Sequence, residues 1–443
     1  SIGEVVRPSP MVPLPFQNDC LEQVQDCFSD DSIDRGKVLL PCGTGKTLLG
    51  FWLADRLGAD NVLIVVPSLL LIRQTLNTWA RETAALGQEF EWFAICSDER
   101  VGQKSNSNYD EYISEIYDLG FPSTDSDKAA KFLATPATRR KLTLTTYQSG
   151  RVLAEAARRS GTVFDFVIFD EAHKTVGSSR RLFAHLLNED NLKAHKRVYM
   201  TATERAFVNR GRDSELVSMD DSTVYGHIFH ELSFKDAIAA EPTTICDYKI
   251  ATLVITESEI LDLWSSNAYL QSRYPEINET TARNLANVIA AQRAYENLGS
   301  KKIISFHHTI SRAKDFTDLS DNLISGTPEL SDINFYHIKG SQEPNLKTDT
   351  LRNFRLSERA LISNARCLTE GVDIPDVDCI LFADPKHSTV DIVQAMGRAI
   401  RKSVNKDHGL IIIPVVVPDD LSVDSDDYET IFRDVIRIVS ALA

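Results

Sequence analysis

Glycine, lysine and hydroxyl side chains converge at Gly43-Thr44-Gly45-Lys46-Thr47, directly after the apolar run Gly36–Leu40. An apolar strand, a glycine-bearing turn and a helix starting near Thr47 are what a phosphate cradle requires. The glycines let the backbone wrap a β-phosphate, and amide N–H groups at the helix N-terminus stabilise its charge. Lys46 can reach the terminal phosphates and Thr47 can hold Mg²⁺. The stricter form of this loop opens on a glycine, where this chain has Leu40. A chance glycine-rich turn is the bland alternative, but it does not explain the strand and helix on either side.

A second group of reactive side chains closes the apolar run Val163–Phe169, as Asp170-Glu171-Ala172-His173. Ligands of parallel sheets gather at such strand ends. Asp170 can hold Mg²⁺ through water, and Glu171 can orient and deprotonate an attacking water. Alone, an Asp-Glu pair is more often a solvated strand end. Together with the phosphate loop it makes a nucleotide hydrolysis site.

The elements that must position these groups are legible as well. Short β-branched runs alternate with helical patterns, the mark of parallel α/β domains. Strand candidates are Gly36–Leu40, Asn61–Val66, Trp92–Cys96, Leu142–Thr146, Phe166–Asp170 and Arg197–Thr201 in the first half. In the second half they are Tyr248–Ile255, Lys302–Phe306, Asn334–His337, Arg359–Ser363, Val377–Ala383 and Gly409–Val415. The runs are continuously apolar more often than alternating, as strands buried on both faces should be. With 443 residues, the expectation is two doubly wound domains, 1–240 and 241–443, divided near Glu241-Pro242. Residues 97–126 and 204–227 read as loops or excursions, and 257–298 as inserted helices. Tyr428–Leu442 reads as an amphipathic segment after which the native chain can continue.

Composition narrows the class. Hydrophobic residues are 43% and charged residues 25%, the balance of a globular protein. No apolar run is long enough to span a bilayer, and the N-terminus lacks a secretory layout, so the expected location is the cytoplasm. Seven cysteines without a CxxC pair argue against a disulfide framework and a zinc module. His227, His230 and Glu231 form HxxHE, which is not a zinc-protease order, and read as ordinary surface or loop residues. The net charge of −15 predicts that any nucleic acid is held in a local basic groove with salt-sensitive affinity.

Asp170-Glu171-Ala172-His173 resembles the DEAH box of superfamily 2 helicases, and the other motifs of that superfamily follow in order. The resemblance runs from about Pro13 to Val417 and implies two tandem RecA-like domains. The loop Leu40–Thr47 is similar to that of restriction-enzyme motor subunits. Leu14-Pro15-Phe16-Gln17 resembles the element whose glutamine reads adenine, which points to Gln17. Val66-Pro67-Ser68 with Arg73 resembles motif Ia, and Thr145-Thr146-Tyr147-Gln148 resembles motif Ib; both imply sugar-phosphate contacts. Thr201-Ala202-Thr203 resembles motif III, which couples hydrolysis to strand movement, and His173 belongs to the same coupling set. Ile304–His307, with Phe306 and His307, resembles motif IV, and Gly340 lies where the family has a backbone-contacting glycine. Thr369-Glu370-Gly371-Val372-Asp373 is similar to motif V, implying strand contact for Thr369 and nucleotide contact for Gly371 and Asp373. Gln394-Ala395-Met396-Gly397-Arg398 through Arg401 is similar to motif VI, implying coupling for Gln394 and arginine fingers for Arg398 and Arg401.

What the resemblance implies is an ATP- and Mg²⁺-dependent motor that grips DNA, duplex favoured, through its backbone. It also implies a nuclease or specificity subunit as a possible companion, since the chain carries no convincing nuclease motif, and no membrane partner. An RNA helicase uses the same core, and an ATP-gated clamp that does not translocate is a third reading. ATPase stimulation by duplex DNA, single strands and RNA separates these. Polarity of movement, target sequence and oligomeric state are not legible in the sequence.

Overall fold

The structure, a computed structural model, describes residues 8–96, 124–136, 138–178, 182–206, 216–340, 342, 344–365, 377–384, 392–393, 395–397, 402, 406, 408–419 and 428–442. The chain divides into two compact units, Ser1–Pro242 and Thr243–Ala443.

The first unit is built on β1 (Arg35–Leu39), β2 (Asn61–Val66), β3 (Phe90–Ile95), β4 (Arg140–Thr146) and β5 (Phe164–Asp170). It continues with β6 (Gly177–Ser178), β7 (Ala194–Thr201), β8 (Leu216–Val217) and β9 (His227–Glu231). Seven of these form one sheet in the order β3-β4-β2-β5-β7-β1-β9, and each neighbouring pair is parallel. β6 and β8 make a separate antiparallel pair.

Alternation along the strands explains the layers. Val62, Ile64, Phe166 and Ile168 join one apolar cluster, with Leu21, Ile72 and Trp79 from flanking helices. Leu63, Val65, Val167 and Phe169 join another, with Leu153 and Ala157. Both faces are therefore covered, and near-continuous apolar strands are the consequence. The helices that matter for the site are α1 (Pro15–Cys27), α2 (Lys46–Arg56), α3 (Leu69–Ala85), α4 (Ser126–Ala134) and α5 (Gly150–Ser160). Each of α2, α3 and α5 follows a strand closely, as right-handed parallel crossovers demand.

The second unit contains β10 (Asp247–Thr256), β11 (Lys302–Phe306), β12 (Asn334–Ile338), β13 (Ala360–Asn364), β14 (Cys379–Phe382) and β15 (His408–Val417). They form a parallel sheet in the order β10-β15-β14-β11-β13-β12. Ile303, Leu361, Leu381 and Ile412 face one cluster, while Ile304, Ile362, Ile380 and Ile411 are buried on alternate positions. Pro414 sits in β15 beyond its pairing with β14, where among the described residues only β10 pairs with it, so its missing N–H is tolerated. Helices Glu257–Ser265, Ala268–Arg273 and Glu279–Asn297 occupy the stretch expected to be helical. Two doubly wound parallel sheets are the tandem RecA-like, P-loop architecture.

Three sequence expectations need correction or placement. His227–Glu231 is not loop but the edge strand β9, and His230 is buried, its Nδ1 2.8 Å from Gln23 Oε1. The stretch 204–227 carries β8 and the short helix Ser222–Tyr225, so it is not loop throughout. Most of the excursion at 97–126 lies outside the described residues. Among the described helices none is long and apolar enough to cross a membrane.

Candidate nucleotide-hydrolysis site

The phosphate loop leaves β1 at Leu40, whose N–H donates to Thr201 O at 2.9 Å. Gly43 (φ 90°) and Gly45 (φ 86°) take left-handed conformations, which glycine adopts without a Cβ penalty. Gly45 is the N-cap of α2, so the amides of the first helical turn lack intrahelical acceptors and face the loop. Thr44 is buried and donates its hydroxyl to Pro41 O at 2.7 Å. Lys46 Nζ lies on the loop's own carbonyls, 3.1 Å from Leu40 O and 3.3 Å from Pro41 O. Gln17, on α1, braces the loop from outside. Its Oε1 accepts from Leu14 N and its Nε2 donates to Thr44 O, each at 2.8 Å.

Asp170 ends β5, two strands from β1 in the sheet, and β7 with Thr201 runs between them. All three strands are parallel, so the loop, Asp170 and Thr201 meet at one sheet edge. Asp170 is half-buried. Desolvation, then the charge of Glu171, pushes its pKa up to about 7, against the pull of the Lys46 ammonium. A carboxylate in that condition is short of positive charge, which suits a hard cation with oxygen ligands. Glu171 N–H donates to Asp170 Oδ1 at 2.9 Å. Glu171 itself has φ 51°, and among the described residues no other non-glycine has a positive φ.

His173 is buried, with Nδ1 3.0 Å from Thr201 Oγ1 and 3.5 Å from Glu171 Oε2. Thr201 Oγ1 in turn donates to Thr203 O at 3.1 Å and accepts from Thr203 N at 3.3 Å. With the hydroxyl proton on Thr203 O, the imidazole N–H sits on Nδ1, facing both the threonine and the carboxylate. Burial lowers the His173 pKa to about 4 despite the Glu171 charge, so the ring is neutral near pH 7. The expected coupling residues His173, Thr201 and Thr203 are thus in one hydrogen-bonded chain.

The residues expected to grip a strand are placed less uniformly. Ser68 is half-buried and caps α3, accepting from Leu71 N at 3.4 Å, with Arg73 half-buried and Pro67 buried beside it. Thr146 is buried and its hydroxyl lies 3.1 Å from Ser149 Oγ. Gly340 is exposed, and a Cβ there would meet nothing within 4 Å. Tyr147, Phe306 and His307 turn their side chains into the protein, which leaves their backbone for the expected strand contact. Tyr147 is 1% exposed and donates its hydroxyl to Asp170 O at 2.8 Å. Phe306 lies within β11 between β13 and β14, against Phe382. His307 packs on Phe316, with Nε2 3.0 Å from Ser305 Oγ. Tertiary packing has claimed all three rings. Thr369, Gly371, Asp373, Gln394, Arg398 and Arg401 lie outside the described residues.

Sequence reasoning missed two supports. Tyr225 OH lies 2.6 Å from Thr175 Oγ1, which donates to Ala172 O at 2.7 Å and so secures the far end of the Glu171 loop. Lys37, buried in β1, ion-pairs with Glu204, one residue past Thr203, and donates to Met219 O at 2.9 Å. The available signal was a lysine in the middle of an apolar strand.

Fold and site together define a P-loop nucleoside triphosphatase of the tandem RecA-like kind. Residues 10–205 match the family model described as "Type III restriction enzyme, res subunit", and residues 283–403 match "Helicase conserved C-terminal domain". The chain carries the two domains of a superfamily 2 helicase ATPase core and resembles restriction-enzyme motor subunits. That family uses ATP. A protein described as "Probable helicase" from African swine fever virus (isolate Tick/Malawi/Lil 20-1/1983) is 26% identical over 391 residues, 86% of this chain and 39% of the relative. The ATP-dependent Type ISP restriction-modification enzyme LlaBIII, solved bound to DNA, is 27% identical with a TM-score of 0.75, covering 98% of this chain and 30% of that one. A nuclease-deletion mutant of the Type ISP enzyme LlaGI, in complex with a DNA substrate mimic, is 26% identical with a TM-score of 0.64, covering 97% and 28%. The chain therefore spans well under half the length of these relatives.

Proposed function

We propose that this chain is the ATP-driven motor of a restriction or phage-defence enzyme and moves along duplex DNA. The observation that carries this reading is the shared sheet edge, where Lys46, Asp170 and Glu171 meet and His173 joins them to Thr201. The likeness to LlaBIII, solved bound to DNA, supports the choice of polymer.

In this reading the α2 amides and Lys46 bind the β- and γ-phosphates of ATP, and Gln17 faces the base. Thr47 and Asp170 hold Mg²⁺, which supplies charge neutralisation on the phosphates when bound. Glu171 orients the attacking water and takes its proton. Arg398 and Arg401 are the arginine fingers, and Gly371 and Asp373 contact the nucleotide, as their motifs imply. Thr203 and Gln394 pass the state of the γ-phosphate to the strand-gripping residues. Ser68, Arg73, Thr146, Gly340 and Thr369 hold sugar-phosphate without reading sequence. The acidic balance makes that grip salt-sensitive. Cleavage of DNA falls to a nuclease, and target choice to a specificity element, elsewhere in the full protein or in a partner.

The test is ATPase activity with duplex DNA, single-stranded DNA and RNA, alongside triplex displacement. The reading expects the largest stimulation from duplex DNA, with the third strand displaced only when ATP is hydrolysed. Preferential stimulation by RNA would make it an RNA helicase. Stimulation without displacement would make it a clamp.

A further inference from the structure

Glu171 is the residue on which the hydrolysis reading turns, and its backbone is in an unfavourable place. A non-glycine residue at φ 51°, ψ 46° crowds its Cβ against the carbonyl and holds that position only where neighbours impose it. Here the imposing bonds act on one peptide unit, the link between Asp170 and Glu171. Its N–H is held by Asp170 Oδ1 at 2.9 Å. Its carbonyl, pointing the other way, accepts the Tyr147 hydroxyl at 2.8 Å. Rotation of that peptide would carry Glu171 out of the left-handed region and break both bonds together.

Tyr147 is suited to hold firm. Its ring is 1% exposed, lies among Leu153, Phe169 and Ala172 in the core, and stacks at a tilt on Phe183, 5.5 Å between centroids. It also begins the short turn Tyr147–Ser149, capped by Thr146, whose oxygen accepts Ser149 N at 3.3 Å. One end of this side chain therefore belongs to a turn assigned above to the strand, and the other to the turn bearing the water-orienting carboxylate.

We infer that Tyr147 is a positioning residue for hydrolysis: its hydroxyl locks the Asp170–Glu171 peptide and thereby aims Glu171 from the turn at 146–149. This rests on the reading of Glu171 as the residue that orients water. The inference assigns Tyr147 a task different from the strand contact that its motif implied, and one that its burial permits.

Tyr147→Phe removes the hydroxyl and keeps the ring. With saturating ATP and duplex DNA, kcat should fall about tenfold, the kinetic equivalent of losing one neutral hydrogen bond. The KM for ATP, the affinity for a non-hydrolysable ATP analogue and the affinity for duplex DNA should each stay within about twofold. A merely structural role would move stability and leave kcat per folded molecule unchanged, which overturns the inference. Weakened DNA binding, with kcat restored at saturating DNA, overturns it too and returns Tyr147 to the strand surface. Should the phenylalanine variant not fold, 3-fluorotyrosine placed at 147 keeps the hydroxyl and strengthens it as a donor. In that case kcat must change at constant nucleotide and DNA affinity, and an unchanged kcat rejects the inference. Glu171→Gln run in parallel separates the two levels. If it retains turnover, the hydrolysis reading fails; if only Tyr147→Phe retains turnover, the inference alone fails.

Discussion

His173 Nδ1 stands 3.0 Å from the hydroxyl of Thr201, on the strand that runs between the phosphate loop's strand and the one ending in Asp170. The same ring nitrogen lies 3.5 Å from Glu171. One imidazole thus touches both the Glu171 carboxylate and the Thr201–Thr203 turn. Thr201→Val keeps the branched shape and deletes the hydroxyl. ATP turnover should fall less than about tenfold, while triplex displacement per ATP hydrolysed falls further. Reduced turnover with unchanged displacement per ATP hydrolysed, measured in the same reaction, would place Thr201 in hydrolysis alone.

In the proposed function Lys46 and Glu171 divide binding from chemistry. Lys46→Ala should reduce ATP turnover by about 100-fold or more, because a preorganised charge on the terminal phosphates is gone. Glu171→Gln should retain ATP affinity and lose roughly 100-fold to 10,000-fold in turnover, the scale of a missing general base. Equilibrium binding of labelled ATP beside steady-state ATPase rates distinguishes these outcomes. Full turnover by Lys46→Ala would remove the phosphate loop from the mechanism.

Two neighbouring titrations act on stability in opposite directions. His173 has a pKa of about 4 when folded and an ordinary value of about 6.5 when unfolded, so between these the unfolded chain holds the extra proton and stability rises with pH. Asp170 goes the other way. Its folded pKa of about 7 exceeds the ordinary 3.8, so the folded chain holds the extra proton and stability falls as pH rises through that range. The two slopes offset between about pH 4 and 6.5. His173→Gln removes the first, so relative to the parent the variant should lose stability as pH rises from about 4.5 to 6.5. Urea midpoints of nucleotide-free protein at both values check this. The same pH response in variant and parent would mean that the His173 shift is absent.

Gly36→Val tests how β9 closes the sheet. A Cβ at Gly36 would come within 2.3 Å of the Phe229 ring, which packs edge-on against Phe28 at 5.0 Å. The clash should cost about 1–3 kcal/mol, the usual penalty for overpacking. Chemical denaturation of the full chain gives the number. A change below about 0.5 kcal/mol would mean that the edge strand yields freely.

Legibility followed distance along the chain. Gly43–Thr47 and Asp170–His173 are contiguous, and a strand before each announces them, so both sites and most strands could be read directly. Tyr147 and Asp170 are 23 residues apart, and Lys37 and Glu204 are 167 apart; no local pattern reports such pairs. β9 escaped because His-Ile-Phe-His-Glu buries only part of itself at a sheet edge, and the histidines masked its strand character. Phe306 and His307 carried the right motif, yet β13, β14 and the helix Ile310–Ile324 decide where their rings go. Sequence identified what could react; the folded sheet decided which side chains are free to do so.

Gln17 leaves a last consequence for the choice of fuel. Both polar ends of its amide are already engaged, one by the Leu14 amide and one by the Thr44 carbonyl. Each bond uses only one of the two hydrogen-bonding positions its atom offers, so a base could pair with the amide while the Leu14 and Thr44 bonds stay in place. Those two bonds fix the plane of the amide against the loop, so an incoming base would meet a donor and an acceptor already oriented, and removing the side chain would disturb the Thr44 turn along with base selection.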